Sequence, residues 1–316
     1  MDDAPFNLAT TVAATGWRAG RASLGFVLDI MALSRGENDV IDPLILSVVL
    51  EANVAAVSQD PQQQLRYASI DAPPPDEVRR PVSVSAVAAS LRLPYETVRR
   101  RISRLAASGA CTITPRGVLI TAARVSDPAY LVIATARYER LRRFYRELKA
   151  LGLLTNLPQP LAAAPLPAAP VRIGNRAISE YMLRVIDQMM RRLGDPVTGL
   201  ILLEMARANA EHLPDEAVAI EGPVPDDMRH PIRTLTLAKR LGLPSETVRR
   251  HVAKLERQGF CRRLERGRLA ALEQLALPDG RGHGLADNLS NLQRLFSKLA
   301  TLGVTAFWDA EAEAGN

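Results

Sequence analysis

Residues 93–105 read LPYETVRRRISRL and residues 243–255 read LPSETVRRHVAKL, so nearly the same stretch occurs twice, 150 residues apart. The likeness extends to both sides, because 16 of the 39 positions in 81–119 are identical to their counterparts in 231–269. So long a match at a constant spacing indicates that a whole domain is duplicated. Each copy carries a block of basic residues at its centre.

Weaker matches place the boundaries of the two copies. DAPPPDEVRRP (71–81) matches EGPVPDDMRHP (221–231), and RLRRFYRELKALG (140–152) matches NLQRLFSKLATLG (291–303). Between the copies, five prolines and several small residues in 156–175 favour a semi-rigid, partly polyproline linker over a helix. The predicted organisation is an N-terminal tail (1–19), a first domain (20–155), this linker (156–175) and a second domain (176–316). The chain is long enough for each domain to have its own core.

The spacing of apolar residues predicts two short helices joined by a tight turn in each copy, over 84–108 and over 234–258. In the first copy Val98, Ile102 and Leu105 recur at i, i+4 and i+7, which is the pattern of one buried helix face. Their counterparts in the second copy are also apolar. The opposite face of each second helix, which carries the arginines, is therefore expected to be exposed.

A β-hairpin is predicted after each helix pair, over 111–121 and over 261–272, because a short strand, a turn with Arg-Gly and another strand follow in order. Together with Ala-x-x-x-[Arg/Gly]-Leu-x-x-x-Thr-Val-Arg-Arg before it, this order resembles the winged helix–turn–helix domains of bacterial regulators, in the style of the GntR, MarR, IclR and Lrp-like families. The resemblance implies a mainly α fold with small β-hairpin wings, built as two duplicated winged helix–turn–helix domains.

The turn between the two short helices differs between the copies. Gly242 stands where helix–turn–helix domains usually have glycine, whereas the first copy has Arg92 there. The first turn is therefore expected to be accommodated differently. Ala88 and Ala238 match the small residue at the crossing of the two helices.

The resemblance implies that the second helix of each pair enters the major groove of DNA and that its exposed face contacts bases and phosphates. With Val98 inward and about 100° per residue, the residues that project outward are Glu96, Arg100, Ser103 and Arg104, with Arg99 and Arg101 on the flanks. The predicted DNA-contacting residues are Tyr95, Glu96, Thr97, Arg99, Arg100, Arg101, Ser103, Arg104 and Arg116 in the first copy, and Ser245, Glu246, Thr247, Arg249, Arg250, His251, Lys254, Arg266 and Arg268 in the second.

Several of these residues have a structural alternative. Glu96 and Arg100 are four residues apart and could form an ordinary surface ion pair, although one glutamate cannot neutralise the four arginines around it. Tyr95 could lie at the edge of the core. Cys111 and Cys261 recur in both copies, and burial as small apolar residues is favoured over a role as redox sensors.

Composition narrows the classes of function. The net charge is +6, from 40 Lys and Arg against 34 Asp and Glu, which favours an acidic partner such as nucleic acid. The sequence has no glycine-rich phosphate loop, nucleophile elbow or metal-ligand spacing, so neither an enzyme nor a cofactor is predicted. An acidic first segment, two cysteines and the lack of a long apolar run predict a cytoplasmic, nucleoid-associated protein without a membrane segment.

The predicted function is sequence-specific binding of double-stranded DNA through two tandem domains, most simply as a transcriptional regulator. A replication initiator of the plasmid or phage type, which also uses paired winged helices, is the first alternative. A winged-helix module that binds an acidic protein is the second. Apolar stripes on the last helix of each copy could support a homodimer, or they could pack within one domain or between the two.

Overall fold

A computed structural model describes residues 8–35, 39–161, 166–213, 223–276 and 284–314, and it is mainly helical with two small antiparallel hairpins. The first copy comprises α1 (Leu8–Arg35), α2 (Ile41–Asn53), α3 (Ala55–Gln59), α4 (Pro61–Arg66), α5 (Val84–Leu91), α6 (Tyr95–Ala107), β1 (Thr112–Thr114), β2 (Gly117–Leu119) and α7 (Pro128–Ala150). The second comprises α8 (Val171–Leu193), α9 (Pro196–Ala210), α10 (Thr234–Leu241), α11 (Ser245–Arg257), β3 (Cys261–Leu264), β4 (Gly267–Ala270), α12 (Leu272–Ala276), α13 (Gly284–Thr301) and α14 (Val304–Ala314).

Two boundaries differ from those expected. The segment 1–19 is not simply a tail, because α1 is helical from Leu8 onward. The segment 156–175 is not a linker over its whole length, because α8 begins at Val171 and its first residues are buried. Pro170 directly precedes the helix, and a proline there costs no hydrogen bond because the first helical N–H groups have no partner.

The turn between α5 and α6 is the same as the turn between α10 and α11, so the expectation of a different first turn was wrong. Arg92 takes the left-handed conformation, with φ 49° and ψ 36°, close to the 65° and 23° of Gly242. A non-glycine residue is strained there by about 1–2 kcal/mol. The Arg92 guanidinium donates to the carbonyl of Met190 on α8, 3.3 Å away, which partly offsets that strain.

Each hairpin is tied to the helices by an asparagine and a glycine. Asn53 at the end of α2 accepts from the Ile120 N–H and donates to the Val118 carbonyl, and Asn209 on α9 does the same for the second hairpin. The Arg-Gly turn needs its glycine because Val82 pairs with the strand beside it: a Cβ on Gly117 would lie 2.5 Å from the Val82 carbonyl oxygen.

The repeated Pro-x-Pro-Asp loop holds a buried arginine. Arg79 is 5% exposed and donates to the carbonyls of Pro74 and Ile120, while Asp76 pairs with it. Arg229 repeats the arrangement in the second copy by donating to the Ala270 carbonyl. This loop therefore fixes the end of the hairpin against the preceding helices.

The four longest helices, α1, α7, α8 and α13, form a central bundle in which each helix packs on two others. Phe26 on α1 stacks on Phe144 of α7 at 4.2 Å between ring centroids, and Tyr145 lies 5.8 Å from Phe296 of α13. Aromatic side chains from the apolar stripes of α7 and α13 thus contact each other at the centre of the bundle within one chain. One hydrophobic core runs through both copies, so the expected two separate cores are not present. None of the described helices is long and apolar enough to cross a membrane.

Candidate nucleic-acid interface

The exposed face of α6 is the one expected from its apolar spacing. Val98 and Ile102 are at most 1% exposed, and Leu105 is 6% exposed. Glu96, Thr97, Arg100 and Ser103 are exposed on the other side of the helix, and Ser245, Glu246 and Arg250 are exposed at the corresponding positions of α11, whereas Thr247 is half-buried. The helix ends where Gly109, with φ 73°, turns the chain toward the hairpin.

The ion pair on this face joins Glu96 to Arg99 rather than to Arg100. The Arg99 guanidinium donates to both carboxylate oxygens at 2.9–3.2 Å, and Arg249 donates to Glu246 in the same way. The hydrogen bond from Arg99 lowers the pKa of Glu96 below its ordinary value. The four side chains are more than half exposed, so each pair contributes little to stability.

Arg101 and Arg104 are held by aspartates that precede or begin α2. Arg101 is 18% exposed and donates to Asp39 and Asp42 at 2.7–2.8 Å. Arg104 donates to the other oxygen of Asp42 at 2.5 Å, although most of its side chain is exposed. We call Asp39, Asp42, Arg101 and Arg104 the first clamp. Through these hydrogen bonds Arg101 joins α6 to the start of α2, and Arg104 is only partly available to a partner molecule.

A second clamp occupies the same place in the second copy, with Asp195 at its centre. The Lys254 ammonium donates to Asp195 at 2.8 Å, and the Thr198 backbone and hydroxyl also donate to it. His251 lies 2.7 Å from the Thr198 hydroxyl through Nδ1. Because the Asp195 carboxylate can only accept, the hydroxyl donates to it and the imidazole Nδ1–H donates to the hydroxyl. Burial lowers the pKa of His251, against the attraction of Asp195.

The two hairpin turns present Arg116 and Arg266, which are both exposed. Arg268, in contrast, lies on β4 and is paired with Glu256 at the end of α11, so it contributes to the packing of the hairpin. Arg263 on β3 is exposed as well, and sequence reasoning missed it. The double arginine in CRRLERGR was the available signal, but the sequence did not show that Arg262 pairs with Asp226 while Arg263 has no ion-pair partner among the described residues.

The positions of Tyr95 and of the two cysteines bear on the structural alternatives given for them. Tyr95 is 50% exposed, so it lies on the exposed surface and not at the core edge. Cys111 and Cys261 are buried beside the second helix of each pair, and burial raises the pKa of the Cys261 thiol to about 12. A thiol that stays protonated is a poor nucleophile, which favours the packing role.

Four predicted residues stand out because they are exposed and have no ion-pair partner among the described residues: Arg100, Arg116, Arg250 and Arg266. Each copy contributes one from its second helix and one from its hairpin turn. In the described part of the chain, no three His, Cys, Asp or Glu side chains come close enough to hold a metal ion. No protein-family model, curated protein or solved structure matches the chain.

Proposed function

We propose that the chain binds double-stranded DNA sequence-specifically through two tandem winged helix–turn–helix domains and acts as a transcriptional regulator. The observation that carries the proposal is the set of four exposed, unpaired arginines, Arg100, Arg116, Arg250 and Arg266. They lie on the second helix and the hairpin turn of each copy. In a helix–turn–helix domain the second helix is the element that enters the major groove.

The chemistry of an unpaired arginine suits this role. Its charge is not neutralised within the protein, so binding a phosphate displaces counterions from DNA without breaking an internal ion pair. Its planar guanidinium can also donate two parallel hydrogen bonds to O6 and N7 of guanine. Arg99 and Arg249 are neutralised by adjacent glutamates, and Arg101 is neutralised by its clamp. Arg100 and Arg250 therefore read bases, and Arg116 and Arg266 contact the phosphate backbone of the DNA.

The two halves would read unequal half-sites. Tyr95 is replaced by Ser245, and Ser103 by Ala253, on otherwise similar exposed faces. Because the two copies share one core, the second reader is already in place when the first one binds, and little entropy is lost in placing it. The expected site is two different half-sites at a fixed spacing, centred about 34 Å apart or a multiple of it on one face of the duplex.

The test selects duplexes from a random DNA library with the purified chain and measures their affinity by fluorescence anisotropy. With Arg116 and Arg266 on phosphates, these two contacts are expected to give a slope of log K against log salt of about −2. Arg100→Ala and Arg250→Ala should each weaken specific binding by about 1–3 kcal/mol.

The matched control is Arg146→Ala on α7, which removes another exposed arginine and the same charge from the central bundle. It should leave the affinity within about twofold of the unmodified chain, because a single distant charge adds little at physiological salt. Absence of binding at low salt, or equal losses for Arg146→Ala and Arg100→Ala, would overturn the proposal. In the first case the surface would be better explained by an acidic protein partner.

A further inference from the structure

A cavity of about 370 Å³ opens between α1, α8, α9 and α13. Its wall is mostly apolar, with contributions from all four helices and from the chain that follows α11. The residues that define it best are Leu24, Val27, Val185, Met189, Leu203 and Phe260. The cavity is partly open to solvent.

The other half of the molecule has the same cavity in a nearly filled form, with a volume of about 40 Å³ between α2, α7 and α8. Its four residues from α8 lie 155 positions after four residues of α1 that line the large cavity. These pairs are Arg172 with Trp17, Asn175 with Gly20, Arg176 with Arg21, and Ser179 with Leu24. Leu50 and Leu203 also correspond, at a spacing of 153 positions. The two cavities are therefore equivalent places in the duplicated fold.

Side chains of the protein itself fill the small cavity. Arg172 and Arg176 are 8% and 7% exposed. Arg172 donates to the Ile70 carbonyl and Arg176 to the Tyr67 carbonyl, both in the chain between α4 and α5. Asn175 is bonded to the Ala134 carbonyl on α7. In the large cavity the position of Asn175 is taken by Gly20, which has no side chain to place there. Among the described residues, one difference between the two halves at this place is therefore Asn175 in one and Gly20 in the other.

The chemistry of the open cavity limits what can occupy it. Three of its polar groups are bonded to one another, since Tyr181 donates to Asn288 and Asn288 donates to Ser23. The lining is mostly apolar but includes charged side chains such as Arg21, Arg207 and Glu211. An apolar cavity of about 150 Å³ accommodates one benzene ring. A volume of about 370 Å³ therefore fits two or three rings.

We propose that this cavity binds an uncharged, apolar small molecule of two to three rings, with at most one hydrogen-bonding group directed at Ser23 and Asn288. The volume is within the range of small-molecule sites, which are mostly apolar and have few polar groups. The proposal stands on the cavity and its filled counterpart, and it does not depend on DNA binding.

The experiment uses the full chain and N-phenyl-1-naphthylamine, an uncharged three-ring fluorophore whose emission rises in apolar surroundings. Titration should show one saturable site per chain. Ala206→Trp, which places an indole in the cavity wall, should weaken binding at least tenfold. Ala150→Trp, at the exposed end of α7, adds the same side chain elsewhere and should leave binding unchanged.

Gly20→Asn is the second variant, because it introduces the residue that the filled half has at this position. Its Cβ would approach only the flexible end of Leu285, at 3.1 Å, so the fold should be kept even if Ala206→Trp does not fold. It should weaken the fluorophore at least threefold. Non-saturable binding, or equal affinity in the unmodified chain, Gly20→Asn and a folded Ala206→Trp, would overturn the proposal. DNA affinity plays no part in this result, so the proposed function can fail separately.

Discussion

Replacing Arg101 by alanine should destabilise the protein, whereas replacing its neighbour Arg100 should not. The Arg101 guanidinium makes three hydrogen bonds of 2.7–2.8 Å to Asp39 and Asp42, and these bonds join α6 to the start of α2. Arg100 makes no hydrogen bond or ion pair to any described residue. The two adjacent arginines therefore separate the stability of the reading helix from its proposed contact with DNA.

The magnitude follows from the burial of the first clamp. Removing one partner of a fully buried ion pair costs about 3–5 kcal/mol, because a charge is left unpaired in the interior. Here Asp42 is 3% exposed but keeps Arg104, while Asp39 is 16% exposed and still accepts from the Ile41 N–H. Water and the remaining partners should reduce the loss to about 2 kcal/mol, roughly a 30-fold change in the unfolding equilibrium.

Urea titrations followed by far-UV circular dichroism measure this loss, with Arg100→Ala as the control that removes the same charge one residue away. The control should remain within about 0.5 kcal/mol of the unmodified chain. If Arg101→Ala unfolds at the same urea concentration as the unmodified chain, the clamp contributes nothing to stability. Arg101 would then be free to act on DNA, as its sequence context had suggested.

Four further outcomes are expected. Burial alone would raise the pKa of Asp195, but hydrogen bonds from its neighbours hold that pKa below its ordinary value. The stability that the Asp195 carboxylate contributes is therefore present above about pH 4 and lost in more acid solution. Asp195→Asn should make the acid-unfolding curve less steep. Gly117→Ala should cost more stability than Gly109→Ala in thermal melts, because only the first meets a carbonyl oxygen at 2.5 Å. Cleavage at a protease site inserted in 162–169 should leave both halves eluting together in gel filtration, since they share one core; separation would show independent domains. Saturating N-phenyl-1-naphthylamine should change the DNA dissociation constant, measured by fluorescence anisotropy, at least threefold, because the cavity includes Phe260, three residues after α11. An unchanged dissociation constant would show that the cavity and α11 are not coupled.

Local pattern was sufficient to predict the helix pair, the hairpin and the exposed face of α6. The i, i+4, i+7 spacing of Val98, Ile102 and Leu105 and the Arg-Gly turn are short-range signals, and the structure has both where they were expected. The two clamps could not be predicted from local sequence pattern. Asp42 and Arg101 are 59 residues apart, and a match between Asp42-Pro43 and Asp195-Pro196 indicates a repeat without saying what the aspartates contact.

The shared core was missed for a related reason. Leu141, Phe144 and Leu148 on α7 form one stripe, and that spacing shows that the face is buried but not against which helix. The proline-rich segment 156–175 suggested separation, because composition reports local stiffness and not the packing of the elements on either side. Tyr145 against Phe296, equivalent residues of the two copies, shows that the copies meet through the same surface.

Fusing both halves into one chain permits a division of labour that a symmetric homodimer lacks. In a homodimer every substitution appears in both subunits, so a cavity filled in one is filled in the other. Here Asn175 lines the small cavity between α2, α7 and α8, and Gly20 stands at the equivalent position of the large cavity. The filled half gains buried hydrogen bonds to the carbonyls of residues such as Ile70. The open half gives up packing, and an unfilled apolar space costs stability in proportion to its volume. We expect such a loss of stability to be retained in one half only if that half responds to a ligand while the other half stabilises the two together.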